Sequence, residues 1–160
     1  MINSFPSIGQ SLRNHWLSHN VEFNVGVSTA ALESFEKDND VILPGDLRDY
    51  FLSVNGMLAE ATDDVLFRFW MLEEIRSLPE GAPDYADPRY IENPESLFLF
   101  ADFSLWAHAY AVRLTDTQPK TNEIFLIGSD SPILLFQSFS EFVDSYLTNK
   151  DLMFPHASMR

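Results

Sequence analysis

One short segment, residues 43–56, constrains the fold more than any other, because it carries both the start and the stop signal of a helix. Its sequence is LPGDLRDYFLSVNG. Pro44 suits the first helical turn, and Asp46 places negative charge near the positive end of the helix dipole. Apolar side chains recur at i, i+3, i+4 and i+7 and predict one buried stripe: Leu47, Tyr50, Phe51 and Val54. Asn55 and Gly56 tolerate the left-handed backbone of a helix C-cap, so they are predicted to end the helix.

Two further helices are predicted before this segment. Over residues 8–19, apolar side chains spaced by four predict an amphipathic helix. Ser28 is a favourable N-cap for a second helix over residues 29–39. The link from this helix to the segment 43–56 is short, so we expect the two helices to pack as neighbours.

The second half of the chain predicts about five strands, because short runs rich in β-branched and aromatic residues alternate with turn residues. The runs are 65–72, 97–103, 106–114, 123–128 and 133–136. The run 106–114 alternates large side chains with alanines, and helices are expected to lie over the alanine face.

A closing helix is predicted over residues 138–148, where Ser138 and Glu141 have the spacing of a capping box. Together these elements predict an α+β fold. In it, a largely antiparallel sheet of about five strands packs with the N-terminal helices and this C-terminal helix.

The sequence resembles the SUKH superfamily, which includes yeast cell-wall-assembly regulators and many bacterial immunity proteins. The resemblance begins with FEKDNDVILPGDLRDYFLSVNG and continues in the same order through LFLFADF, AYAVRL and SFSEFVDSYL, covering about residues 28–148. The residues that form this structural signature are Glu36, Leu43, Pro44, Phe51, Asn55, Gly56, Ser138 and Phe142. The resemblance implies the SUKH fold and a binding role.

At 160 residues the chain is expected to form a single domain, 1–160, with a core of about 28–148 and a frayed tail over 149–160. Cysteine is absent, which excludes disulfides and thiolate chemistry and suits a cytoplasmic protein. No apolar run approaches the roughly 20 residues that a membrane span needs.

The charge of the chain limits its partners. The formal net charge is −14 and is concentrated in the middle of the sequence. Such a chain is not expected to bind nucleic acid or an anionic membrane, whereas a basic protein partner is favoured. A solvated acidic surface that only maintains solubility is the open alternative.

No catalytic residue, metal ligand or cofactor site is predicted. The sequence lacks the glycine-rich, GxSxG and HExxH motifs. The adjacent carboxylates at 63–64 and 73–74 are interpreted as a solvated face. His15 and His19 have metal-ligand spacing but no evident third ligand, and His108 is interpreted as a half-buried histidine.

Three functions remain open on the sequence. The resemblance favours a non-catalytic immunity protein that neutralises a cognate bacterial toxin, with a basic toxin domain as the partner. The alternative is a regulatory scaffold that docks cellular proteins. An enzyme that uses His108 with nearby carboxylates is the third hypothesis.

The candidate interface is the proline-rich segment 79–96, which is too long and too rich in proline for an ordinary connection. It is acidic and contains two tyrosines that are suited to anchor an interface. The candidate contacts are Asp84, Tyr85, Asp87, Tyr90, Glu92 and Glu95. A solvated loop without a role is the alternative interpretation of this segment.

Overall fold

The chain folds as an antiparallel sheet with its four longer helices on one face, and the computed structural model describes residues 6–117 and 122–154. Within these ranges the helices are α1 (Ile8–Ser18), α2 (Thr29–Asn39), α3 (Gly45–Ser53), α4 (Leu78–Gly81) and α5 (Phe139–Thr148). The strands are β1 (Phe23–Val25), β2 (Val54–Met57), β3 (Phe67–Phe69), β4 (Arg76–Ser77), β5 (Leu97–Phe103), β6 (His108–Arg113), β7 (Ile124–Ile127) and β8 (Ile133–Phe136). Single 3-10 turns lie at Leu72–Glu74, Pro83–Tyr85, Pro94–Ser96 and Lys150–Met153.

The strands of the main sheet are all paired antiparallel, in the order β3-β5-β6-β7-β8, with β4 also pairing to β5. A separate two-stranded sheet joins β1 to β2. This arrangement confirms the predicted α+β class and the largely antiparallel sheet. The strands β1, β2 and β4 were not predicted, because each has only two to four residues, too few for a clear alternating pattern.

The two faces of the main sheet are covered by different parts of the chain. Tyr110 and Val112 of β6 point into the main core under the helices. The ring centroids of Tyr110 and of Phe142 in α5 are 5.1 Å apart. Ala109 and Ala111 point to the other face, where Leu78 and Ile91 cover them. The expectation that helices lie over the alanine face is therefore wrong. The helices carry aromatic side chains that interdigitate with the large residues of the sheet, whereas small alanines allow an irregular segment to approach closely.

The helix α3 is shorter than predicted. Pro44 is its N-cap, and the helix ends at Ser53, where the chain continues directly as β2. The predicted buried stripe is confirmed, because its members are at most 2% exposed: Leu47, Tyr50, Phe51 and Val54. The expected C-cap at Asn55 and Gly56 is wrong, because both residues lie in β2, which pairs with β1.

Asn55 is held in this strand by its side chain. Its amide oxygen accepts a hydrogen bond from the backbone N–H of Leu72 at 2.7 Å, and its amide nitrogen donates to the Glu73 carboxylate at 3.2 and 3.3 Å. Asn55 is buried, so these bonds satisfy polar groups that water does not reach.

Glu36 connects α2 to α3. Its carboxylate accepts from the backbone N–H of Leu43 at 2.7 Å and from the guanidinium of Arg48 at 2.8 Å. Asp46, in the first turn of α3, accepts from both the N–H and the hydroxyl of Ser140 in α5 at 2.9 and 2.8 Å. Side chains of the signature segment thus fix how three helices meet.

At the N-terminus of α5, only one of the two hydrogen bonds of the predicted capping box is formed. The Ser138 hydroxyl accepts from the N–H of Glu141 at 3.1 Å, as expected. The Glu141 carboxylate, however, accepts from the N–H of Gln137 at 3.0 Å, one residue before the N-cap. Ser138 is the N-cap, and Phe142 is fully buried against the sheet.

The tail expected to fray from residue 149 is ordered through its first residues. Lys150–Met153 forms a 3-10 turn, Met153 is fully buried, and its carbonyl oxygen accepts from the Tyr110 hydroxyl at 3.0 Å. Burial of Met153 and satisfaction of a buried hydroxyl explain this order. Residues 155–160 of the expected tail lie outside the described residues.

Two predicted strands are shorter in the structure. The run 65–72 forms a strand only over β3, and the strand predicted from residue 106 begins at His108, since Trp106 lies in a turn with a positive φ of 73°. Pro79, the first residue of the proline-rich segment 79–96, belongs to the single helical turn α4. Proline is tolerated there, because a first-turn N–H has no helical partner.

Phe51→Ala is expected to lower the free energy of unfolding by about 3–5 kcal/mol, because the side chain is fully buried and its removal leaves a cavity. Chemical denaturation measures this change. Leu52→Ala, on the exposed side of the same helix, is the control and should have little effect. Equal midpoints for Phe51→Ala and the parent would contradict the packing of α3.

Gly56→Ala is expected to destabilise the protein by more than about 1–2 kcal/mol. Its φ is +65°, and an added Cβ would collide with the carbonyl group of Trp70. Gly45→Ala is the matched control, because a Cβ there meets nothing within 4 Å. Thermal melts in which both variants behave alike would refute the role of Gly56.

Candidate functional site

The proline-rich segment 79–96 is built against the alanine face of the sheet. Leu78, which directly precedes the segment, and Ile91 and Pro94 within it are buried. Between them, Ala82, Tyr85 and Ala86 pack partly against the same cluster. The segment therefore covers the sheet, and its outward-facing side chains are displayed from an anchored backbone.

Arg113 of β6 fixes the second half of this segment. Its guanidinium donates to the carbonyl oxygens of Glu92 and Asn93 at 2.9 and 3.2 Å and to the Ser96 hydroxyl at 2.6 Å. Its Nε donates to Glu123 at 3.0 Å. Five donors in a rigid fork allow one arginine to make these contacts together.

The six predicted contact residues do not share one environment. Asp84, Tyr90, Glu92 and Glu95 are exposed, and none of the three carboxylates forms an ion pair with a described residue. Tyr85 is half-buried against the sheet, so part of its surface is already used by the fold.

Asp87 is already paired with Arg89. The guanidinium donates to both carboxylate oxygens at 2.6 to 3.1 Å, and the backbone N–H of Arg89 donates at 2.9 Å. These hydrogen bonds from Arg89 lower the pKa of Asp87 below its ordinary value. A partner would meet a locally neutral pair at this position rather than a free carboxylate.

An open groove of about 430 Å³ runs beside the exposed end of the segment. Its lining includes Tyr90 and Glu92 of the segment, the Arg113–Glu123 ion pair, and Phe125 of β7 and Leu134 of β8. Leu134 is exposed, so the groove offers apolar surface next to a carboxylate. Such a combination suits contact with a protein better than enclosure of a small molecule.

One carboxylate of each adjacent pair has a structural role, whereas Asp64 and Glu73 are exposed, as expected of a solvated face. Asp63 is buried and accepts from the N–H groups of Val65 and Phe67 at 2.9 Å each, and from the Tyr146 hydroxyl. Glu74 accepts from Arg68 at 2.6 and 2.7 Å. They cap turns and neutralise an arginine, which sequence spacing alone does not reveal.

Asp102 is a second buried carboxylate, and the sequence did not single it out. It accepts from the indole N–H of Trp70 at 2.7 Å. Burial raises the pKa of Asp102 above its ordinary value, and the hydrogen bond from Trp70 offsets part of that rise.

His15 lies close enough to Asp63 and Asp64 for their negative charges to act on it. His15 and His19 face each other at 4.1 Å between ring centroids, and burial is the main cause that lowers the pKa of His15. His108 is half-buried at the start of β6. Within residues 6–117 and 122–154, no three His, Asp or Glu side chains are close enough together to hold a metal ion.

Arg113 and Trp106 are the residues of interest that the sequence reasoning missed. Arg113 is the one charged residue in an otherwise apolar strand pattern, a signal that could have marked it. The turn position of Trp106 had no such signal, because the alternation of residues 106–114 favoured a strand.

Arg113→Lys is expected to loosen residues 90–96 without unfolding the sheet, because a single ammonium group cannot replace the forked contacts. Hydrogen bonds to charged groups contribute about 1.5–3 kcal/mol each, so the amides of Ile91 and Ser96 should exchange about tenfold faster or more. Hydrogen-exchange mass spectrometry measures this. Arg48→Lys, in α3, is the control, and unchanged exchange in Arg113→Lys would remove the anchoring role.

Comparison with known proteins supplies the family context. The family model described as SMI1 / KNR4 family (SUKH-1) matches residues 26–145, three quarters of the chain. No curated protein matches the chain at a significant level. Within the described residues, every helix is too short or too polar to cross a membrane.

Proposed function

The chain belongs to the SMI1 / KNR4 family (SUKH-1), and from that premise we propose that it is a non-catalytic protein-binding module. Its specific role is that of an immunity protein, which neutralises a cognate bacterial toxin by stoichiometric binding. The superfamily that it resembles includes many bacterial immunity proteins, and this resemblance is the first support for the proposal.

The charge of the chain supports a basic partner. A toxin that attacks nucleic acid needs a basic groove for the phosphates of its substrate. An inhibitor with a net charge of −14 would be steered toward such a groove, and its carboxylates would occupy the place of the phosphates.

One observation supports this segment as the interface. Asp84, Glu92 and Glu95 are exposed carboxylates without ion pairs among the described residues, on a segment whose backbone is already anchored to the sheet. Because the segment is ordered before it binds, the entropy cost of association is reduced. Tyr90, which is 61% exposed beside them, is the aromatic anchor.

The proposal is tested with the product of the reading frame that lies beside this gene. The two purified proteins should form a complex of one-to-one stoichiometry, and co-expression should protect cells from the neighbour's toxicity. Absence of both complex and protection would refute the immunity role. A complex with a non-toxic cellular protein would favour a regulatory scaffold.

Neutralising Asp84, Glu92 and Glu95 together by Asn or Gln is expected to lower kon for this complex by roughly tenfold or more at low salt and to flatten its salt dependence, because steering depends on these charges. Surface plasmon resonance over a range of ionic strength measures both effects. Tyr90→Ala should mainly raise koff.

The matched control changes the same number of charges elsewhere. Glu33, Asp38 and Asp40 are exposed on and just after α2, and their neutralisation alters the net charge equally. If this control lowers kon as much as the triple variant of the segment does, only net charge matters and the segment is not the interface.

A further inference from the structure

An exposed apolar surface lies at one end of the sheet, where two turns meet. Val65 and Leu66 precede β3, and Leu105 and Trp106 connect β5 to β6. The backbone N–H of Ser104 donates to the carbonyl oxygen of Leu66 at 3.0 Å and joins the two turns. We call these four apolar residues the turn surface. Their exposed fractions are between 40 and 84%.

The backbone of the turn surface adopts conformations that bulky residues avoid. Leu66, Leu105 and Trp106 have φ values of +72°, +52° and +73°. Glycine adopts this left-handed region without strain, whereas side chains with a Cβ do not. Leu105 is 84% exposed, so packing within the fold does not compensate for its strain. Residues held in strained backbone conformations cluster at functional sites.

Contacts with two buried residues, Trp70 and Asp102, fix the position of Trp106. Its ring lies 5.1 Å from that of Trp70, whose indole N–H donates to the buried carboxylate of Asp102 at 2.7 Å. The backbone N–H of Trp106 faces the same carboxylate. An exposed tryptophan that is positioned before binding has the properties of an interface anchor.

A cavity of about 230 Å³ adjoins Trp106 and carries positive charge. The cavity is lined by Trp70, Gly81 and Trp106 and by three charged residues, Arg68, Glu74 and Arg76. Arg68 is neutralised by Glu74, which accepts its hydrogen bonds at 2.6 and 2.7 Å. Arg76 is exposed, and its Nε donates to the backbone carbonyl of Glu74 at 3.2 Å. No carboxylate among the described residues forms an ion pair with Arg76.

We propose that the turn surface docks a segment of another protein that carries an apolar or aromatic side chain next to a carboxylate. The apolar group packs on Leu105 and Trp106, and the carboxylate pairs with Arg76 at the rim of the cavity. Charge complementarity selects this partner, because Arg76 is uncompensated in a strongly acidic chain. The exposed carboxylate of Asp64 lies next to Val65 in the sequence and would repel an acidic group there. The acidic group of the partner is therefore expected beside Arg76, at the end of the turn surface that adjoins the cavity.

This inference rests on the proposed function only in that the partner is a protein. It concerns different residues from the acidic segment and requires the opposite sign of charge in the bound group. A single partner would meet both surfaces only if it presents acidic and basic groups separately.

The test is selection of a phage-displayed random peptide library against the full chain. The enriched peptides should contain Asp or Glu within two positions of an aromatic residue or leucine. Synthetic copies should shift the indole N–H resonance of Trp106 in NMR spectra. Leu105→Ala, Trp106→Ala and Arg76→Glu should each weaken their binding by about tenfold.

The controls separate loss of contact from loss of fold. Leu105 and Arg76 are exposed, so their variants should keep the denaturation midpoint of the parent even if Trp106→Ala does not. Leu17→Ala and Lys37→Glu remove an exposed leucine and reverse an exposed cation elsewhere, and both should leave peptide binding unchanged.

Several outcomes would overturn the inference. Peptides whose binding ignores the Leu105 and Arg76 variants, or enrichment of basic peptides alone, would refute it. Self-association of the chain that Leu105→Ala abolishes would identify a second copy as the occupant and also refute it. Peptide binding here without any toxin complex would retain this inference and reject only the immunity role.

Discussion

The packing of α5 on the aromatic face of the sheet is the interaction on which the rest of the structure depends. The ring centroid of Phe142 lies 5.0 Å from that of Phe100 and 5.1 Å from that of Tyr110. The ring centroid of Tyr146 lies 4.9 Å from that of Phe69. Because the four longer helices occupy this face, the other face of the sheet is covered by the short helix α4 and the rest of the segment 79–96. The position of every exposed carboxylate on that segment follows from this division.

Periodicity in the sequence was enough to predict most elements that bury one apolar face. The helices α1 and α2, the strand β5 and the antiparallel sheet follow from local pattern and turn residues, because each depends on its own side chains. The end of α3 did not follow. Asn55 and Gly56 are typical of a helix C-cap, but pairing with β1 and the hydrogen bond from Leu72, 17 residues further along the chain, determine their conformation instead.

The candidate surfaces were predicted less well, for a related reason. Length, proline content and charge marked the segment 79–96. These properties do not distinguish Asp84, which forms no ion pair with a described residue, from Asp87, which Arg89 neutralises. The turn surface had no sequence signal at all. Left-handed backbone at leucine and tryptophan contradicts local propensity, so only the three-dimensional structure reveals it.

The hydrogen bonds of Tyr146 also bear on how the chain folds in time. Its hydroxyl accepts from the indole N–H of Trp16, 130 residues earlier, and donates to Asp63, 83 residues earlier. Contacts between such distant parts of the sequence slow folding, because a long loop must close before they form. During synthesis on the ribosome, the contacts of Tyr146 with α1 and with the turn before β3 can therefore form only after α5 has emerged. Until then, the aromatic face of the sheet is exposed to other chains and to chaperones.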